Sequence, residues 1–222
     1  MSSLEPLYAL FYPYNRTMKR YLQFGCGHSC PEAFENYDAS PTLRWEKLPF
    51  LGKFTKNRQR FPVGVKIGNI VTGLDVPANY FQGIYSSHVM EHMTVPQFRV
   101  AIRHTYSYLA AGGRFRLVMP DLEFHCKKYL TDNASQASFE LLRALYMRKE
   151  DAPTGLLSRL HEAFGLHMHL WLWDFKSAKV ELESAGFAKI RRAEYHDSPD
   201  LTFREVERED RWLNCLGIEC VK

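Results

Sequence analysis

The sequence predicts an α/β domain built on a mostly parallel sheet, and three observations carry that prediction. Short strand-like runs end in Gly, Asp or Ser and are each followed by helix-like periodicity. One stretch spells a complete strand–helix–strand unit, the crossover that parallel strands require. Two further strand-like runs, residues 187–195 and 213–221, close the chain around a highly charged connection at 196–212, and these predict an antiparallel pair.

The first strand is expected over residues 20–24 and stops at Gly25-Cys26-Gly27. A second covers 34–37 and stops at Asp38, and a third covers 63–70, broken by Gly64 and Gly68. The fourth is 83–87, and the fifth, 114–119, ends at Pro120-Asp121. Between the last two, Thr94-Val95-Pro96-Gln97 reads as a capping box with proline in the first turn. Phe98, Ala101, Ile102, Thr105, Tyr106 and Leu109 then recur at the spacing of one buried helical face. Gly112-Gly113 predicts a left-handed stop to that helix. Helical segments over 121–131, 134–149 and 156–164 read as an insertion of about 121–173 over one edge of the sheet. A last helix runs from an Asp174 cap through Phe175, Ala178 and Leu182 to Ala185, with Gly186 ending it.

Composition narrows the function classes. With 222 residues, 45% hydrophobic and 24% charged, the chain can build one ordinary core, so a single domain over 1–222 is expected. Its aromatic content of 14% excludes a disordered polyampholyte. The net charge is +4 with Lys and Arg scattered, so no nucleic-acid partner is expected. No apolar run reaches the length of a spanning helix, so no membrane partner is expected either. Near the N-terminus Glu5 and Pro6 stand where a signal peptide would be basic. Five cysteines without a CxxC pair suit a reducing cytoplasmic setting.

In an open parallel sheet, ligands bind beyond the carboxyl ends of the strands. The unusual residues cluster there: Gly25-Cys26-Gly27, Asp38, Asn69, Ser86-Ser87-His88 and Pro120-Asp121. A Gly-X-Gly turn admits close approach of backbone to a ligand, and an acidic residue after the second strand can accept from both hydroxyls of a ribose. Taken singly, the first is a tight turn and the second a helix cap; together they favour a nucleoside. A dinucleotide fingerprint needs a third glycine, where Cys30 stands, and an acid further along than Asp38, which follows Gly27 by only eleven positions. A nicotinamide oxidoreductase is therefore disfavoured. A nucleoside cofactor without a pyrophosphate fits better, and S-adenosylmethionine leads.

The segment Leu22-Gln23-Phe24-Gly25-Cys26-Gly27 resembles the first motif of class I S-adenosylmethionine-dependent methyltransferases. The resemblance continues through Asn36-Tyr37-Asp38 and Ile67-Gly68-Asn69-Ile70. It is strongest from Ile84 to His92 and again across 108–117, so it spans residues 20–122, and Ala185-Gly186-Phe187 and 217–220 extend it. The subgroup is similar to the type 11 methyltransferases, including those of cell-surface polysaccharide and secondary-metabolite pathways. The resemblance implies a Rossmann-like, doubly wound, seven-stranded, mostly parallel sheet with an antiparallel last strand and a helical insertion before the sixth. It implies that Phe24, Gly25, Cys26 and Gly27 lie against the methionine part of the cofactor. It further implies Asp38 on the ribose, Asn69 and Ile70 at the adenine, and Ser86, Ser87 and His88 between cofactor and substrate. Two positions depart from the family pattern: many relatives have Asp at position 69 and a third glycine where Ser29 stands.

The implied reaction passes the sulfonium methyl to an oxygen or nitrogen of a small-molecule acceptor, with sugars, phenols and amines all fitting. His88, His92, Asp121 and His169 are the candidate bases, His88 first because it stands at a strand end. A cofactor-binding partner subunit without catalysis is the other reading. His88-Val89-Met90-Glu91-His92 also spells H-x-x-E-H, a zinc-hydrolase signature that belongs on a long helix. Here it follows a strand directly, so no metal is expected, and hydrogen bonding of Glu91 and His92 within the loop is the plainer role. Cys26 and Cys30 lack a second pair and predict no metal site. His161, His167 and His169 with Trp171 and Trp173 read either as packed core or as an acceptor pocket. Arg191-Arg192 and the arginines of 204–211 read as solvated faces, and Tyr8, Phe11, Tyr12 and Tyr14 as a packed helix or a lid.

Overall fold

Five strands come first: β1 (Tyr21–Phe24), β2 (Phe34–Asp38), β3 (Val65–Ile67), β4 (Phe81–Ser87) and β5 (Leu109–Pro120). They pair in parallel, and β6 (Ala188–Ala193) and β7 (Cys215–Val221) complete the sheet in the order β3-β2-β1-β4-β5-β7-β6. Only β7 runs against its neighbours, antiparallel to both β5 and β6, as expected. The computed structural model describes residues 19–49, 59–146 and 168–222. The N-terminal aromatics, His161, His167 and the helix expected at 156–164 lie outside the described residues.

Alternation along β5 shows how the sheet is buried on both faces. Phe115, Leu117 and Met119 face the main core, which α2 (Val95–Tyr108) and α5 (Phe175–Ser184) cover with Phe98, Ala101, Ile102, Ala178 and Leu182. Val118 faces the opposite side, where Tyr85, Phe203, Val206 and Trp212 form a second cluster. The connection 196–212, charged as it is, thus serves as the cover of one sheet face. No helix among the described residues is long and apolar enough to cross a membrane.

The helix starts follow the sequence closely. Thr94 and Gln97 form the capping box of α2, and Asp174 with Ser177 forms that of α5. Gly186, at φ +103°, turns the chain out of α5 into β6. α1 (Pro41–Glu46) was not expected; the Ser40 hydroxyl caps it by accepting from Leu43 N at 3.1 Å.

The end of α2 differs from expectation. The helix stops at Tyr108, and Leu109 is already extended and paired with Phe81. Burial of Leu109 in the sheet ends the helix, before the glycines are reached. Gly112-Gly113 instead falls in a register shift, in which the partners of Phe81 and Gly83 jump from Leu109 to Arg114. There a side chain at Gly113 would meet the Phe81 carbonyl at 2.8 Å. The third strand is also shorter than predicted, because Val65 N bonds back to Pro62 O and holds 62–65 as a turn.

The β1–β2 crossover, residues 25–33, contains no helix. Two buried amides organise it instead. The Gln23 amide donates to Asn36 Oδ1 at 2.5 Å and to the Ser29 carbonyl at 3.2 Å, and Asn36 donates to Pro31 O at 3.1 Å. The insertion holds α3 (Leu122–Thr131) and α4 (Ala137–Ala144). Its two ends meet in a parallel bridge between Asp121 and Trp173, with Leu122 N donating to Trp173 O at 3.1 Å.

Candidate functional site

A cleft of about 480 Å³ opens over the carboxyl ends of β1 and β4. That is within the roughly 300–1,000 Å³ typical of small-molecule sites. Phe24, Gly25, Cys26, Gly27 and Ser87 all line it, together with Gln23, His28, Ser29, Gln59 and Tyr85. Its far wall is Glu205, Val206, Arg208 and Arg211, from the connection between β6 and β7. Arg208 and Arg211 are exposed, as the sequence predicts, but that they border a cleft was not foreseen. Arg211 in fact donates to the Ser87 carbonyl at 3.3 Å, and Arg208 pairs with Asp210 at 2.9 Å.

The glycine turn is built for close approach. Gly25 and Gly27 sit at φ +65° and +54°, in the left-handed region. A side chain on Gly25 would strike Val89 at 2.1 Å, whereas the space beside Gly27 is open. Asp38 braces this turn from the end of β2: one carboxylate oxygen accepts from Gly27 N at 2.9 Å and the other from Ser40 N at 2.8 Å. Cys26 is a protonated thiol, since burial, and after it the charge of Asp38, raises its pKa far above the ordinary range.

Asn69 and Ile70 follow β3, away from the cleft lining. Asn69 Oδ1 accepts from Val71 N at 2.9 Å, and Ile70 is buried with its carbonyl 2.7 Å from His104 Nδ1. Ser86 is buried, and the hydroxyls of Ser86 and Ser87 have no hydrogen-bond partner. Tyr85, on the same strand, has its hydroxyl buried and its pKa pushed up to about 12 by that burial.

His88 adopts the left-handed backbone, φ +54°. Nδ1 lies 3.1 Å from Glu91 Oε1, and Nε2 lies 2.9 Å from the Arg211 carbonyl. Burial works against its charged form, but contacts with Cys215, Glu91 and the Arg211 backbone outweigh it and raise the pKa to about 10. As an imidazolium, His88 donates from both nitrogens and ties β4 to the cleft wall. Asp121 is equally engaged: Oδ1 caps α3 through Glu123 N at 3.0 Å, and Oδ2 pairs with Arg192 at 2.8 Å.

His92 and His169 are brought together, although 76 and more residues separate their neighbourhoods in sequence. Their rings meet edge to face, 5.1 Å apart, above the buried carboxylate of Glu91. His92 Nδ1 lies 3.1 Å from the Met168 carbonyl, and His169 Nε2 lies 3.9 Å from Glu91 Oε1. Burial lowers the pKa of His169 against the pull of Glu91, so its ring is neutral. The H-x-x-E-H run is confirmed as a tight 3-10 turn, Met90–His92, with no long helix beneath it. Trp173 is core, packed on Phe98 at 4.2 Å, while Trp171 is half exposed beside it.

Comparison with known proteins bears on the fold. No family model and no curated protein matches the sequence. Among solved structures, the chain is similar to an S-adenosylmethionine-dependent methyltransferase of Archaeoglobus fulgidus, at TM-score 0.51 and 15% identity over 99% of this chain and 93% of that one. A second methyltransferase, from Thermotoga maritima, aligns at TM-score 0.48 and 13% identity over 94% and 84%. With the seven-stranded order and the antiparallel β7, the protein has the Rossmann-like fold of the class I S-adenosylmethionine-dependent methyltransferases.

Proposed function

We propose that this protein is a methyltransferase that carries the methyl group of S-adenosylmethionine to an oxygen or nitrogen of a small-molecule acceptor. One observation supports the reading above the others. The Gly25–Gly27 turn is left-handed at both glycines, open beside Gly27, and braced by the Asp38 carboxylate at the end of the next strand. These residues fit the cofactor: Phe24, Gly25, Cys26 and Gly27 would hold its amino-acid portion, and Asp38 its ribose. Ser86, Ser87 and His88 would border the reacting end, whereas Asn69 and Ile70 stand outside the cleft lining and are given no contact with the cofactor. When bound, the cofactor supplies an electrophilic methyl on sulfur. The protein's part is to align the acceptor in line with that methyl, which proximity makes worth several kcal/mol.

A hydroxyl acceptor must also lose its proton to a positioned group. His88 and Asp121 have both of their polar atoms engaged. Proton removal therefore falls to the neighbourhood of His92 and His169. Cell-surface sugars and secondary-metabolite phenols are the acceptor classes in view, and the half-exposed Trp171 offers a flat face to either. The five cysteines are all unpaired, in keeping with a cytoplasmic setting.

Calorimetry with S-adenosylmethionine, followed by transfer of a labelled methyl to sugar, phenol and amine panels, tests the reading. Binding with turnover on one class is expected. No binding would overturn the proposal, and binding without transfer to any acceptor would indicate the non-catalytic subunit instead.

A further inference from the structure

Glu91 is a carboxylate in a place that ordinarily excludes one. Its side chain is 1% exposed, and the His169 side chain is 7% exposed. Oε1 pairs with His88 Nδ1 at 3.1 Å, while Oε2 has no hydrogen-bond partner. Buried polar groups in native structures are nearly always paired, and an unpaired buried charge is costly. The open Oε2 of a buried carboxylate, beside two imidazole rings, presents oxygen and nitrogen lone pairs to a further positively charged partner.

The geometry has the form of a metal site. One donor atom from each of Glu91, His92 and His169 lies within 4.8 Å of the other two. Donors at 2.0–2.1 Å from a tetrahedral ion stand about 3.3 Å apart, so the widest separation needs to contract by up to about 1.5 Å. The surroundings are already arranged for ligation. His92 donates Nδ1–H to the Met168 carbonyl, which fixes the tautomer that leaves Nε2 free. His88 donates to Glu91 Oε1, a contact of the kind that orients a ligating carboxylate. The backbone on both sides is tied, since the Glu91 carbonyl accepts from Leu170 N at 2.7 Å and Trp171 N at 3.2 Å. The 3-10 turn and the 168–171 segment are thus held against each other before any ion arrives.

We infer that Glu91, His92 and His169 form a binding site for a first-row divalent transition-metal ion, zinc in the first instance. The ligands are a carboxylate oxygen of Glu91 and Nε2 of each histidine. Two imidazoles and one carboxylate select such an ion over magnesium or calcium, which prefer all-oxygen shells. Three protein ligands leave a position for water or a substrate oxygen, the arrangement of catalytic rather than structural zinc. The hydrolase signature is not the basis of the site, because His88, its first histidine, faces the Arg211 carbonyl. The site shares His92 and His169 with the proton-removal role proposed above, but its test uses neither cofactor nor acceptor, so the two readings fail separately.

The full chain, purified without a histidine tag and stripped with a chelator, is titrated with zinc chloride by calorimetry. One ion per chain is expected, with micromolar or tighter affinity. Cobalt(II) in its place should give a visible absorption band. His92→Ala and His169→Ala should each weaken zinc binding by more than about 100-fold, beyond the roughly 10–100-fold loss typical of outer-shell partners. Circular dichroism checks that each variant is folded, and His169→Gln replaces His169→Ala if the latter is not. Failure of the stripped wild type to bind zinc would overturn the site. So would unchanged stoichiometry and affinity in a folded His92→Ala/His169→Gln double variant.

Discussion

Two of the polar clusters buried among the described residues are built on opposite principles. In the first, Arg116 lies fully buried on β5 and reaches four groups: Glu207, Asp197 at 2.9 Å, Glu219 at 3.4 Å and the Glu194 carbonyl. Its guanidinium also stacks 4.6 Å over the Trp212 ring, and Arg191 closes the network through Asp197 and Glu219. Every arm of the guanidinium is used. In the second, Glu91, His92 and His169 converge, and a buried Glu91 oxygen and a His169 nitrogen are left without a hydrogen-bond partner. The satisfied cluster fastens the 196–212 connection to the sheet and needs nothing further. The other is the cluster at which the metal site is proposed. Counting unmet hydrogen-bonding capacity separates a structural network from a functional one where burial alone does not.

The largest effect should come from breaking the complete network. Arg116→Met strands the carboxylate of Glu207 in the interior, Glu219 keeping Arg191 and Arg114, and should destabilise the fold by about 3–5 kcal/mol. Urea denaturation would measure it, and removing Glu207 as well should restore part of the loss. An unchanged midpoint for the single variant would show that the network holds nothing.

The incomplete cluster should respond in the opposite sense, by gaining stability from outside. Zinc at 100 times its dissociation constant should raise unfolding free energy by about 2.7 kcal/mol. The same addition should leave the His92→Ala/His169→Gln variant unmoved in a thermal melt, whereas Arg116→Met should still respond.

Asp38 stands between the two types, with both oxygens bonded to backbone N–H groups yet placed at the glycine turn. Asp38→Ala should weaken S-adenosylmethionine binding by about 1–3 kcal/mol. Calorimetry showing equal affinity would assign Asp38 to bracing the turn alone.

The smallest effect is one of pH. Burial would raise the Asp197 carboxyl, but hydrogen bonds from Arg191, the Glu194 backbone and Arg116 outweigh it and hold the pKa below the ordinary value. Its stabilising contribution is therefore full above the unfolded-state pKa and is lost as pH falls through the lower folded one. Asp197→Asn should flatten the acid side of the stability curve slightly, since the side chain is partly exposed. Stability curves of variant and wild type that overlay down to the acid limb would remove Asp197 from the network's energetics.

Much of the frame was legible along the chain because it rests on local chemistry. Strand ends at Gly25, Asp38 and Ser87, the Thr94 and Asp174 caps and the Gly186 exit all lie within a few residues of the groups that cause them. The helix stop at Gly112-Gly113 was misread because a distant strand, through Phe81, captured Leu109 first. An arginine between Phe115 and Leu117, and a glutamate between Ile218 and Cys220, were signals of a buried ion pair in facing strands. The remaining partners, Asp197 and Glu207, come from a loop whose path no local pattern encodes.

The sequence by itself determined the alternation of strand and helix, the glycine turn and the acid that follows it, since dihedral freedom and side-chain period are properties of neighbouring residues. Tertiary structure alone decided which histidine is free. Closure of the 168–171 segment onto the turn after β4 puts His169 beside Glu91, while the Arg211 carbonyl takes His88. Those contacts join residues 78 and 123 positions apart, and at that separation only the packing of the whole sheet sets what meets.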